Sequence, residues 1–203
     1  MAEKKIVEYR GVRDLVAAIL QTDGETLTYG EIFPVAGLAE LSKTTENSSE
    51  THFYDNIPAI VIDSVGADEV NCSTSAIPFD VLAKLTGQYY DEATQTFVEG
   101  EGIKPYLAIG YITEDTDGNE IFVWRYKVKA SIPDTTHATK TDGTDANGQE
   151  LVFTGINTQH KFTATGKSAK AINHMKSELI TEADFFAEVM DIDKLKALGT
   201  TGA

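Results

Sequence analysis

The strongest constraint on the fold comes from residues 104–133. In residues 121–132, large apolar side chains alternate with charged or smaller ones. Side chains of a β-strand point to opposite faces in turn, so this alternation predicts a strand with one apolar face. Residues 106–113 are rich in β-forming residues, and residues 114–119 form a turn cluster in which Gly118 can adopt a positive φ. We therefore predict an antiparallel hairpin.

The two faces of the second predicted strand differ in character. The apolar face is predicted to carry Phe122, Trp124, Tyr126, Val128, Ala130 and Ile132. The other face is predicted to carry Ile121, Val123, Arg125, Lys127, Lys129 and Ser131. Two interpretations of the basic residues stay open. They form a solvated face, or they meet carboxylates of a neighbouring subunit, where they would set register and partner choice.

Composition narrows the class of protein. The chain has 203 residues, enough for one domain with extensions, and a formal net charge of −15. A tight nucleic-acid binder needs clustered Lys and Arg, so this acidic excess argues against one. Cys72 is the only cysteine, which excludes an intrachain disulfide and a cysteine zinc cluster. Residues 1–11 lack the apolar core of a signal peptide, and no apolar run approaches about 20 residues. We expect a soluble protein assembled in a reducing cytoplasm, with no membrane partner.

Most segments before the hairpin also predict strands. Residues 12–20 are apolar and compatible with a strand, although their spacing also suits a helix, and residues 37–46 alternate in part. Residues 57–65 and 69–76 flank a glycine-containing turn at 66–68 and predict a second hairpin.

A short helix is predicted at residues 78–86. Pro78 suits the first helical position, Asp80 complements the positive N-terminal end, and Gly87 suits a left-handed stop. Its apolar face is predicted to carry Phe79, Leu82, Ala83 and Thr86.

The residue pattern of the sequence changes after the hairpin. Residues 134–149 are polar and predict a mobile loop. From there to residue 165 the residue pattern is again typical of strands. We predict a β domain at residues 1–165 and a helical extension at residues 166–203. Thr181 is a suitable N-cap for that extension, with Asp184 three residues later. The apolar stripe of the predicted helix is Phe185, Val189, Ile192 and Leu195.

The candidate chemical motifs do not meet the spacing that their chemistry requires. Counted from Asp115 as a calcium loop, Glu120 and Tyr126 occupy the positions that need a glycine and a bidentate acid. The alternative calcium loop around Asp142 and Asp145 fails in the same way. A P-loop ending at residues 166–168 would need a glycine at position 161. The four histidines are His52, His137, His160 and His174, and they show no ligand spacing. We expect no catalytic residue, no cofactor and no metal, hence no enzyme.

A family resemblance rests on an ordered set of segments. They read TYG (28–30), AGLAEL (36–41), ETHFYDN (50–56), IPFDVLAKLTG (77–87), PYLAIGY (105–111), DG (117–118) and VWRYK (123–127). In this order and spacing, the chain resembles the phi13-type major tail proteins of long-tailed phages (siphoviruses), which are the subunits of the tail tube. The resemblance covers residues 8–165, and residues 166–203 depart from it.

The resemblance implies a mainly β (α+β) fold, namely a tail-tube-type β-sandwich or half-barrel with one flanking short helix. It implies a structural virion protein that forms hexameric rings stacked into a tube, made in a bacterial host cytoplasm. Its partners would be copies of itself, the tape measure, tail terminator and distal tail proteins, and double-stranded DNA passing through without being held. Residues 44–57 would resemble the family's long inter-subunit loop.

Two sets of residues are therefore expected at interfaces between subunits. Aromatic residues are enriched at interface centres, so Phe53 and Tyr54 are the expected anchors, with Asp55 beside them. The basic residues Arg125, Lys127 and Lys129 form the second set. An alternative function is a phage decoration or receptor-binding β-module, which would give trimers or monomers rather than tubes.

Overall fold

The computed structural model describes residues 6–137, 139 and 147–201, and it is mainly β, as predicted. The strands are β1 (Tyr9–Asp23), β2 (Leu27–Ala36), β3 (Leu38–Tyr54), β4 (Ile57–Thr74), β5 (Tyr89–Asp91), β6 (Thr96–Val98), β7 (Leu107–Asp115), β8 (Glu120–Ala130), β9 (Asp134–Thr135), β10 (Gln149–Gly155) and β11 (Ala171–Met175). The helices are α1 (Phe79–Thr86), α2 (Glu182–Phe185) and α3 (Ile192–Thr201).

One large antiparallel sheet organises the chain. Its strand order is β2-β1-β7-β8-β10-β4-β3, with β11 added beside β8 and β9 beside β10. The sheet curls so that β1 and β3 face each other across an open cleft of about 670 Å³. The floor of this cleft includes Tyr111, Val123 and Arg125. The curled sheet has the shape of a half-barrel, while β5 and β6 form a separate small hairpin.

The hairpin predicted at residues 104–133 is confirmed as β7 and β8. Gly118 has a φ of 82° in the connecting turn, where a side chain would be strained. The carboxylate of Asp115 accepts hydrogen bonds from the backbone N–H groups of Asp117 and Asn119, both at 2.9 Å. The segment considered as a calcium loop thus has the hydrogen bonding of an ordinary Asx-type turn.

The predicted faces of β8 are wrong beyond Tyr126. Leu107 pairs with Val128 and Ile109 with Arg125, so the one residue between these pairs on β7 lies opposite two residues of β8. This β-bulge reverses which face the following side chains point to. Consequently Phe122, Trp124 and Tyr126 lie in one core cluster, whereas Val128 and Ala130 lie in the other.

Both faces of the sheet are covered, so the chain has two apolar clusters. On the concave face, Leu107, Ile109, Leu151 and Phe153 pack with the buried side of α1. On the convex face, Trp124 and its neighbours pack against the C-terminal segment. A central strand that is buried on both sides explains why almost every side chain of β8 is inaccessible.

Helix α1 begins one residue later than predicted and ends where predicted, and its buried face matches the predicted one at Leu82 and Thr86 only. Gly87 has a φ of 70° and its N–H donates to the carbonyl of Ala83, which is the expected left-handed stop. Pro78 is the N-cap rather than the first helical residue. The side chains of Val81, Leu82, Leu85 and Thr86 are buried. Phe79 is instead 58% exposed and stacks on Phe97 of the small hairpin.

The C-terminal segment is part of the sheet and core, in contrast to the predicted extension. Strand β11 pairs with residues 121–125 of β8. Thr181 caps α2 as predicted, because its hydroxyl accepts from the N–H of Asp184 at 3.2 Å. The predicted single stripe is divided between α2 and α3. The indole N–H of Trp124 donates to the carbonyl of Phe185, so residue 165 is not a structural boundary.

The predicted mobile loop at residues 134–149 is described only at its ends. There, β9 pairs with Gln149 and Glu150 of β10. Residues 138 and 140–146, including Asp142 and Asp145, lie outside the described residues.

Candidate assembly surface

Residues 47–65 form a two-stranded arm that extends beyond the sheet. Strand β4 pairs with β10 only over residues 68–74, whereas its pairing with β3 continues to Tyr54 and Ile57. Residues 47–54 extend roughly 26 Å at about 3.3 Å per residue. The expected loop at residues 44–57 is therefore mostly paired strand. The hairpin predicted around residues 66–68 is wrong, because β4 runs through them without a turn.

The tip of the arm is a two-residue turn formed by Asp55 and Asn56. Their φ angles are 51° and 63°, as a type I′ hairpin turn requires. Short polar side chains tolerate this conformation better than branched or bulky ones do. The turn places Phe53, Tyr54 and Asp55 together at the end of the arm.

The arm exposes apolar side chains on both of its faces. Neighbouring residues of a strand point to opposite sides, yet Ile60, Val61 and Ile62 are 49%, 58% and 54% exposed. Phe53 and Tyr54 are likewise 62% and 61% exposed. A two-stranded hairpin without a packed face is marginally stable in water. The arm thus has the properties of a segment that packs against another molecule.

The arm is also acidic. It carries Glu50, Asp55 and Asp63, with Glu46 at its base. The chain has no Lys or Arg from residue 44 to residue 83. A surface that receives the arm would need to supply both apolar contacts and positive charge.

A buried network fixes the base of the arm. The carboxylate of Asp68 accepts from Arg125 at 3.1 Å, from Lys170 at 2.9 Å and from the hydroxyl of Thr45 at 3.0 Å. Lys170 also donates to the carbonyl of Gly66. Because Lys170 belongs to the C-terminal segment and Arg125 to β8, this network ties the arm to the rest of the molecule.

Arg125 and Lys127 do not lie at a subunit surface. Both are buried, and both pair with carboxylates of their own chain: Arg125 with Asp68, and Lys127 with Asp23 at 2.6 Å. Arg125 also donates to the hydroxyl of Tyr111. The expectation that they meet a neighbouring subunit is therefore wrong. A buried strand can hold cations when their carboxylate partners are also buried.

Lys129 has a different environment from the other two basic residues. It is partly exposed, and its ammonium lies 4.5 Å from the ring centroid of Tyr106. The structure therefore divides the expected interface residues between the arm tip, the interior and this aromatic contact. Sequence reasoning missed Asp68 and Lys170, whose role depends on contacts between distant segments.

The buried ion pairs predict loss of stability in acid. Burial raises the pKa of the Asp68 carboxyl, but the bonds from Lys170 and Thr45 outweigh burial and leave this pKa below its usual range. For Asp23, burial likewise raises the pKa, but the hydrogen bonds from Lys127 and two backbone N–H groups outweigh burial and leave this pKa below its usual range. A depressed folded-state pKa stabilises the fold above the unfolded value, about 3.9 for Asp, and this contribution is lost as pH falls through the folded value.

We therefore expect the free energy of unfolding to fall steeply below about pH 4. Urea titrations at about pH 6, 4 and 3 would measure it. Asp68→Asn should be less stable than the parent at neutral pH, and its free energy of unfolding should decrease less as the pH falls. If the free energy of unfolding fell equally with pH in both proteins, the role of Asp68 in acid sensitivity would be contradicted.

No group of three or more His, Cys, Asp or Glu among the described residues is placed to hold a metal ion. Cys72 is buried, and burial raises the pKa of its thiol to about 12, which leaves it protonated. Within the same part of the chain, no helix has the length and apolar character to cross a membrane.

Comparison with known proteins gives no identification. Neither a protein-family model nor a curated protein matches this chain.

Proposed function

We propose that this chain is a structural subunit of a phage tail tube, which assembles into stacked hexameric rings through which DNA passes. The observation that carries the proposal is the arm: an apolar, acidic strand pair that projects from a half-barrel and, within the described part of the chain, exposes apolar side chains on both faces. The curled antiparallel sheet, with the short helix α1 packed on its concave face, agrees with the mainly β architecture that the sequence resemblance implies.

The charge of the chain suits this function. At −15 per subunit, a tube wall repels the phosphates of DNA, and salt limits this repulsion to about 8 Å. DNA near such a wall slides without being held. The distal tail, tail terminator and tape measure proteins would be further partners, and the virion would be the site of action.

Electron microscopy of the purified full chain tests the proposal. At high protein concentration, we expect rings or hollow tubes. Isolated compact particles at every concentration would overturn it, and stable trimers would favour a decoration or receptor-binding module.

We expect Phe53→Ala combined with Tyr54→Ala to abolish tubes while the monomer stays folded. Both side chains are more than 60% exposed, so their loss removes little packing within the subunit. Aromatic anchors at an interface cost at least about 2 kcal/mol each when truncated. Sedimentation and thermal melting measure the two properties.

Ser48→Ala combined with Ser49→Ala is the matched control. It changes two exposed residues of the same arm without removing apolar surface. We expect this variant to assemble normally. Tubes formed equally well by both double variants would show that the arm tip is not an assembly contact.

A further inference from the structure

The arm and a cluster around Tyr106 lie at opposite ends of the sheet. Strand β3 is antiparallel to β4, β4 to β10, and β10 to β8. Strand β3 is therefore antiparallel to β8, and the arm runs toward the end of the sheet where β8 begins. Tyr106 and Lys129 lie at the other end, where β7 begins and β8 finishes.

The cluster around Tyr106 combines positive charge with exposed apolar surface. We define the far-end cluster as Lys104, Tyr106, Lys129 and Ile132. The Lys129 ammonium lies over the Tyr106 ring, and Tyr106 and Ile132 are 36% and 54% exposed. Lys104 precedes Tyr106 by two residues, and Ile132 follows the end of β8 by two.

Among the described residues, neither Lys104 nor Lys129 forms a salt bridge, whereas Lys127 beside them is paired with Asp23. The nearest acidic residues along the chain, Glu101 and Asp134, are not within salt-bridge distance of either lysine.

We propose that the far-end cluster of one copy receives the arm of a second copy. The arm supplies aromatic and branched side chains with the carboxylates of Asp55 and Asp63, and the far-end cluster supplies the complementary ammonium groups and apolar surface. The contact joins different surfaces of the two copies, so it repeats from copy to copy instead of closing as a dimer. This inference rests on the proposed function and identifies the surface through which successive subunits stack.

Disulfide trapping tests the contact directly. Tyr54→Cys combined with Ile132→Cys should form covalent chains of several subunits when assembled protein is oxidised, and reductant should return them to monomer. The native Cys72 is 1% exposed and cannot take part. Tyr54→Cys combined with Val98→Cys is the matched control, because Val98 is also about half exposed but lies in the β5–β6 hairpin.

Charge reversal provides a second measurement. Lys129→Glu should raise the protein concentration needed for assembly by roughly tenfold, with the smaller change Lys129→Gln giving a weaker effect in the same direction. Lys196→Glu alters the net charge equally at an exposed position on α3 and should assemble as the parent does. Melting curves would establish that all three variants are folded.

The outcomes separate the two proposals. Parent tubes with no trapping at Ile132 and no effect of Lys129→Glu would overturn the far-end cluster as acceptor and leave the tube function standing. Absence of tubes from the parent protein would overturn the function, and this inference with it. Trapping at Ile132 but not at Val98, with weakened assembly of Lys129→Glu, would support both.

Discussion

Arg125→Glu is expected to prevent the chain from folding. Arg125 is 8% exposed, and its guanidinium lies 3.1 Å from the Asp68 carboxylate, so the substitution would place two buried carboxylates side by side. Removing one partner of a buried ion pair typically costs about 3–5 kcal/mol, and charge reversal adds repulsion. Proteins of this kind are stable by only about 5–15 kcal/mol.

Circular dichroism and urea titration would measure this effect. Lys129→Glu is the matched control, since it makes the same charge change on the same strand at a partly exposed position. We expect that variant to remain folded. The stability of Arg125→Met should lie between those of Arg125→Glu and Lys129→Glu, because Asp68 keeps its hydrogen bond from Lys170 at 2.9 Å. A folded Arg125→Glu protein with parent-like stability would contradict the buried pairing.

A second large effect is expected from removing residues 166–203. This segment supplies Ile180, Phe185, Val189, Met190 and Leu195 to the convex core, all buried. At about 1.5–3 kcal/mol for each buried side chain, the loss is roughly 8–15 kcal/mol, comparable with the whole stability of a domain. The deletion would also expose Phe122 and Trp124. We therefore expect residues 1–165 not to form a native structure.

The single tryptophan reports on this prediction. Trp124 is 0% exposed in the intact chain and donates its indole N–H to the carbonyl of Phe185. Its fluorescence should be that of a buried indole in the full chain and shift to longer wavelength in the fragment. Phe185→Ala should be folded but less stable by about 3–5 kcal/mol. A fragment with buried Trp124 and a cooperative unfolding transition would refute the role of the C-terminal segment.

The hairpin at residues 104–133 shows which structural features sequence periodicity can predict and which it misses. Alternation predicted both strands and the glycine turn, because these depend on local preferences. It failed to predict the bulge after Tyr126, since Lys127 and Lys129 continue the alternation while the backbone reverses their faces. The burial of Arg125 and Lys127 was also missed, because their partners Asp68 and Asp23 are far away in sequence.

The arm escaped prediction for a related reason. Apolar and polar residues alternate along a strand when one of its faces is buried and the other is exposed to solvent. Residues 47–65 have both faces exposed, so their sequence has no such pattern. Residues 57–65 were therefore predicted as a strand but with the wrong partner, residues 69–76 instead of 47–54. Phe53 and Tyr54, the expected anchors of a long loop, lie at the tip of a strand pair instead. Their contact with another subunit remains a prediction.

The continuity of β4 has a mechanical consequence for the proposed assembly. The same strand that forms one side of the arm runs into the core, where residues 68–74 hydrogen-bond to β3 on one side and to β10 on the other. A pull on the arm along this strand would load both rows of hydrogen bonds in parallel, in shear. Such a geometry resists tension better than one in which bonds separate one at a time. A tube joined through these arms would therefore bear axial load along the polypeptide backbone of each subunit.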